Sequence, residues 1–213
     1  GWTGPTSKVN EKGAVYEGSN KKRFGERKPP SAAYATQSPV FYPGSGTYVG
    51  GNFWDGRATG QRLNNAAAEQ AQGPFLNPME QALSTAKEVV EKVCASSYGK
   101  LFKDVWGDEM CKCGNEDRAY DKIGYSIAAY EASSEVNAFG SKYDAWLRGR
   151  ASLTDSEKRG LALFKGTKAK CANCHPATGA GALFTDYTYD NLGIPKNLDN
   201  PVYDRLPGFV DLG

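Results

Sequence analysis

One histidine, two methionines and no long apolar run set the first limits on this chain of 213 residues. No apolar stretch approaches the ~18 residues of a membrane-spanning helix, so no membrane span is expected. The charge is nearly balanced at +2, which gives no electrostatic case for a nucleic-acid partner. Gly1 is followed by polar, Gly-rich sequence rather than by an apolar leader. No methionine follows His175, the single histidine, and no second motif of its kind occurs. No internal repeat and no convincing set of strands emerges.

What is present is Cys171-Ala172-Asn173-Cys174-His175. It has the C-x-x-C-H form that attaches haem c. Two intervening residues put both sulfurs on one side of a helical turn for thioether bonds, and the next imidazole becomes an axial iron ligand. The plainer readings are a redox dithiol, a disulfide or half of a zinc site. Zinc would want two more Cys or His nearby, and none follow. Covalent haem implies export, so the expected location is periplasmic or extracellular, and the chain is expected to be a processed product or a piece of something longer. Cys94, Cys111 and Cys113 remain. Cys94 paired with either of the others would tie two helices across a short loop and leave one thiol over.

Gly and Pro, 25 and 11 residues, are plentiful for a helical chain and predict long irregular loops. Residues 1–50 read as an extended, loop-rich segment, with Lys21-Lys22-Arg23 as a solvated basic cluster or a docking patch for an acidic electron donor. A short helix is predicted at 66–72, stopped by Gly73-Pro74. Thr85-x-x-Glu88 is a capping-box pattern opening a helix with Val89, Val90 and Val93 inward. Tyr98, Leu101, Phe102 and Val105 recur at helical spacing before Gly107, which predicts a buried face. A longer helix is expected over 116–135, with Ala119, Ile123, Ile127 and Tyr130 on one face, and a short one over Tyr143–Leu147. Thr154-x-x-Glu157 opens a further helix with Leu161 and Phe164 inward, leading through Gly166 to the haem motif. The fold class is mainly α.

Several blocks then line up: Phe53-Trp54-Asp55-Gly56-Arg57-Ala58, Glu69-Gln70-Ala71, Asn77-Pro78 with Glu80, Phe139-Gly140-Ser141, Tyr143-Asp144, and Phe184-Thr185-Asp186 followed by Asn191-Leu192-Gly193-Ile194-Pro195. In this order they resemble the bacterial di-haem cytochrome c peroxidase family, over about residues 20 to 195. The resemblance implies two cytochrome c-like domains with long irregular loops. Residues 1–140 would be the remainder of the amino-terminal, peroxidatic domain, with its haem motif upstream. Residues 141–213 would be the carboxy-terminal, electron-transferring domain, incomplete at its end.

The implied activity is reduction of hydrogen peroxide to water with electrons from a small redox protein, a cytochrome c or copper protein, entering at the haem on Cys171 and Cys174. Glu80 matches the acid–base group, Gln70 the residue that orients peroxide, and Trp54 an aromatic between the two haems. His175 is the proximal ligand, and its other ring nitrogen is expected to donate to a backbone carbonyl or water. Asp55 and Arg57 are expected to form an ion pair that fixes their loop. A second haem would come from upstream sequence. The family's calcium is implied too, although its usual asparagine is Tyr34 here. The rest of the same polypeptide, or a companion chain, is an implied partner, and a homodimer is compatible. Competing readings are a single-haem electron carrier and a relative that oxidises a protein or organic substrate. The latter would carry a tyrosine ligand beyond Gly213.

Overall fold

Asn65 begins the first helix because its side chain can accept an orphan N–H, here that of Ala68 at 2.9 Å. The computed structural model describes residues 15–179 and 181–211. Residues 1–14 of the expected loop segment, Ala180 in the Gly179–Gly181 turn, and Leu212 and Gly213 lie outside the described residues. Helix α1 runs Ala66–Leu76, α2 Ala86–Ala95, α3 Gly99–Trp106, α4 Glu116–Glu131, α5 Lys142–Leu147, α6 Asp155–Lys165 and α7 Val202–Arg205. A two-stranded antiparallel hairpin pairs β1 (Tyr42–Pro43) with β2 (Tyr48–Val49). No helix of the described residues is long and apolar enough to cross a membrane.

The core is helical. Helix α1 lays Ala67, Ala68 and Ala71 against α4, and small side chains let the two backbones approach closely. A Cβ at Gly124 of α4 would sit 2.6 Å from the Ala68 carbonyl oxygen, so only glycine fits there. Val89 and Val90 of α2, Phe102 of α3, Met110, and Tyr120 and Ile123 of α4 fill the adjoining cluster. Each such side chain contributes roughly 1.5–3 kcal/mol by leaving water. The Tyr120 hydroxyl donates to the Gln72 carbonyl, and burial pushes its pKa up to about 12. The Cys94–Cys111 disulfide ties the end of α2 to the turn after α3 and leaves Cys113 as the spare thiol.

Four local expectations need correction. First, α1 does not stop at Gly73-Pro74 but continues to Leu76. Pro74 falls in the last turn, where it forfeits the N–H bond to the Gln70 carbonyl and the chain beyond closes the helix by other bonds. The Asn77 N–H closes that turn on the Gly73 carbonyl, and the Gln81 N–H bonds the Pro74 carbonyl. Second, the periodic face of α3 is not buried as a whole. Phe102 points inward, but Tyr98, Leu101 and Val105 are exposed, Leu101 by 63%. A short helix that packs along one edge buries one row of its stripe. Third, α4 ends at Glu131 rather than 135, and Tyr130 is exposed, donating to Glu135. Fourth, the box at Thr85 is half formed: its hydroxyl accepts the Glu88 N–H, while Glu88 reaches back to the N–H of Ser84. The box at Thr154 is complete, and a further one at Ser141-x-x-Asp144 caps α5.

The chain after the haem motif returns along residues 17–58. Val49 bridges Thr188, the Gly50 N–H donates to the Tyr187 carbonyl, and the Tyr189 hydroxyl donates to the Gly50 carbonyl. Further on, Arg205 pairs with Glu26 at 2.9 Å and Asp211 with Arg27 at 2.5 Å. These contacts join both sides of residue 140.

Candidate haem site and its neighbours

Helix α6 ends in Gly166, and a turn carries the chain to Cys171. Residues Cys171–Asn173 form one 3-10 turn, closed by the Cys174 N–H on the Cys171 carbonyl, which also accepts the His175 N–H at 2.9 Å. Cys171 and Cys174 are unpaired thiols, and Cys174 and His175 are exposed. The His175 Nδ1 lies 2.7 Å from the Phe184 carbonyl oxygen. A carbonyl only accepts, so Nδ1 carries the proton and the Nε2 lone pair is left for a metal. The exposed apolar side chains of Leu163, Phe184, Leu192 and Ile194 flank the motif in sequence. Two free thiols, a directed imidazole and unburied apolar side chains fit a covalently bound haem c.

The Phe184 carbonyl is itself held in place. Phe184 has φ 54°, a left-handed conformation, and is clamped by Tyr143 and Phe164 at ring-centroid distances of 5.4 and 5.7 Å. Beyond it, Asp186 accepts the Thr188 N–H and hydroxyl at 3.0 and 2.8 Å. Partial burial works against the Asp186 charge, but those bonds hold its carboxyl below the usual range.

Trp54 stands 58% exposed, its indole N–H on the Lys28 carbonyl at 2.7 Å. It shares with Phe184, Tyr34, Phe139 and Tyr187 the wall of a cavity of about 650 Å³. The tight loop behind it is closed by Asn52 and Ala58. Gly56 sits at φ 67° where a Cβ would meet the Tyr189 hydroxyl at 2.7 Å. The expected Asp55–Arg57 pair is present at 2.7 Å, and Arg27 joins it at 2.7 Å. Desolvation resists ionisation of Asp55, yet the bonds from Arg57 and Arg27 outweigh it and hold its carboxyl below the ordinary range.

Glu80 lies elsewhere, in the turn after α1. It lines a second cavity of about 440 Å³ with Tyr16, Gly18, Pro74 and Met79. The Asn77 side chain donates to Glu80 Oε2 at 2.7 Å and accepts the Met79 N–H at 2.9 Å. Gln70 is four residues before Pro74 on α1, hence on the same helix face one turn earlier. Phe53 packs over Gly73, within 3.0 Å of where a Cβ would stand, and joins the Trp54 loop to this helix. So Glu80 and Gln70 share one side of α1, whereas Trp54 faces the cavity behind the His175 acceptor. Of the two methionines, Met110 is a core residue and the Met79 sulfur accepts from Arg205 at 3.1 Å.

Asn77 was quoted in the sequence without a role. An Asn before Pro signals an Asx turn, and that turn aims Glu80. Glu69 also had no assigned role. Its carboxylate accepts the N–H groups of Gly60, Arg62 and Leu63 at 2.8 to 2.9 Å and shapes the turn before α1.

Fold and motif together define a mainly α protein of c-type haem attachment. Residues 4–152 match the di-haem cytochrome c peroxidase family, and the chain belongs to it. It is 33% identical to the methylamine utilization protein MauG of Paracoccus denitrificans, over 86% of this chain and 46% of that protein. It is 35% identical to a cytochrome c551 peroxidase of Nitrosomonas europaea, over 72% of this chain and 41% of that one. The crystal structure of the diheme peroxidase BthA from Burkholderia thailandensis superposes with a TM-score of 0.84 at 32% identity, over 97% of this chain and 50% of that chain. The chain therefore spans about half the length of the relatives it matches.

Proposed function

We propose that this chain is the central part of a periplasmic di-haem peroxidase that reduces hydrogen peroxide to water with electrons from a small redox protein. The observation that carries the reading is the Phe184 loop, which fixes the His175 tautomer and lines one cavity with Trp54. Cys171 and Cys174 would anchor haem c, which when bound supplies an iron that takes up and passes on single electrons. His175, with Nδ1 occupied by the Phe184 carbonyl, would hold that iron through Nε2. Trp54 offers an indole on the path from the Phe184 loop towards α1. The peroxide reaction needs two electrons and two protons for each pair of waters formed. Glu80 Oε1, the oxygen Asn77 leaves free, moves a proton from the inner to the outer peroxide oxygen. Gln70 orients the peroxide with its side-chain amide. The second haem of this scheme would be attached by sequence upstream. No step is given to calcium. The Tyr34 N–H donates to Asn137, its ring packs on Phe139, and no three His, Cys, Asp or Glu side chains converge among the described residues.

The test is Glu80→Gln in the full-length, haem-loaded protein. Peroxide turnover should fall about 10²-fold or more, the usual worth of a positioned proton-transfer group. Haem content and reduction by a small chemical reductant should stay unchanged. Unchanged turnover removes Glu80 from the reaction. The lone C-x-x-C-H favours a second reading, a single-haem carrier. Haem count and intact mass decide between them: two haems per protein support the peroxidase, and one supports the carrier.

A further inference from the structure

From Lys158 to Thr185 the chain carries no Asp or Glu, while Lys158, Arg159, Lys165, Lys168 and Lys170 are all cationic. This run contains the whole haem-attachment motif. All five cations are exposed. Lys158 pairs with Asp155 at 3.3 Å. Arg159, Lys165, Lys168 and Lys170 pair with no carboxylate among the described residues. Lys165 closes the last turn of α6, and Lys168 and Lys170 lie in the turn that enters Cys171. Cys174 and His175 lie within the same stretch.

A patch of one sign beside a redox-group attachment site is an element of a transient electron-transfer encounter. Charge steers the approach. We infer that Lys165, Lys168 and Lys170, with Arg159, form the docking surface for the electron donor, and that this donor is a small redox protein with a carboxylate rim. One electron passes from the donor's metal at each encounter, and no bond is made or broken. The inference rests on the proposed entry of electrons at Cys171–His175. The Lys21-Lys22-Arg23 cluster is the less suitable patch. Its turn packs on the Met79–Glu80 segment, and Glu17 and Glu26 dilute its charge.

The experiment uses the full-length haem-loaded protein and an acidic plant plastocyanin as probe, with a basic mitochondrial cytochrome c as the opposite-charge control. Carbodiimide coupling joins lysine amines to carboxylates in contact, and the products are mapped by mass spectrometry. Coupling should fall on Lys165, Lys168 and Lys170. Plastocyanin binding and its rate of electron delivery should drop at least tenfold between low and high salt. Lys165→Glu/Lys168→Glu/Lys170→Glu should lower both at least tenfold at low salt and raise those of the basic cytochrome. Lys168→Glu alone should show the same direction at smaller size. Lys21→Glu/Lys22→Glu/Arg23→Glu should stay within twofold of the parent. Coupling mapped to Lys21 or Lys22, or charge reversal at 165, 168 and 170 without effect, overturns the inference. Peroxide consumption driven by a small inorganic reductant is measured separately. Its absence, with docking intact, would sink the peroxidase reading alone.

Discussion

The helical unit at residues 66–131 and the haem-motif segment at 155–211 solve the same problem differently. The first buries its own apolar stripe: Ala68, Val89, Met110 and Ala119 are each 2% exposed or less, and a disulfide crosses the unit. In the second, α6 has no buried residue, and Leu163, Leu192, Ile194 and Leu198 stand 57 to 81% exposed. Order there comes instead from capping, from backbone bonds to residues 47–58 and from the aromatic clamp on Phe184. One region is held by its core. The other leaves its apolar side chains uncovered within these 213 residues and is ordered by local bonds instead.

That contrast can be broken at three depths. Cys171→Ala with Cys174→Ala should abolish covalent haem, read as haem wholly extractable by acidified organic solvent and as a protein mass without the haem increment. Protease resistance of residues 66–131 should persist; its loss would mean the two regions are not separable. Met110→Ala should cost about 2–5 kcal/mol in urea unfolding through the cavity it leaves, with haem uptake per folded molecule unchanged. The smallest effect lies at the α6 cap. The Lys142 ammonium, then the Thr154 N–H, hold the Glu157 carboxyl down at about 2, against its ordinary 4.5. A depressed carboxylate stabilises the fold above 4.5, and that contribution fades as pH falls from 4.5 towards 2. Carbon-13 titration of Glu157 should show the low midpoint, and Lys142→Ala should raise it. An ordinary midpoint in the parent protein would mean the cap does not form.

Much of the helical unit was legible because its signals are local. Thr154-x-x-Glu157 closed as its spacing required, and Gly107 ended α3. The misreadings came where neighbours decide. Pro74 looked like a stop, but its place in a last turn depends on Asn77 and Gln81 folding back. Leu101 and Val105 looked buried because periodicity shows that a face exists without showing what covers it. The expectation that the second ring nitrogen of His175 meets a carbonyl was a general rule of ligand chemistry. That the carbonyl belongs to Phe184 depends on a left-handed backbone held by two aromatic rings.

The sequence by itself determined the haem chemistry and the family, because C-x-x-C-H and the blocks around Trp54 are contiguous and need no partner to be read. It also offered Glu80, Gln70 and Trp54 as the candidates on which the proposed function rests. Only the tertiary structure decided their grouping: Glu80 aimed by Asn77 on one side of α1, and Trp54 facing the Phe184 loop on another. It also left the cations of residues 158–170, ahead of the attachment motif, on the surface. Bonding patterns within a few residues are written in the chain. Which distant surfaces meet, and which stay open, follows from packing, where long-range contacts overrule local preference.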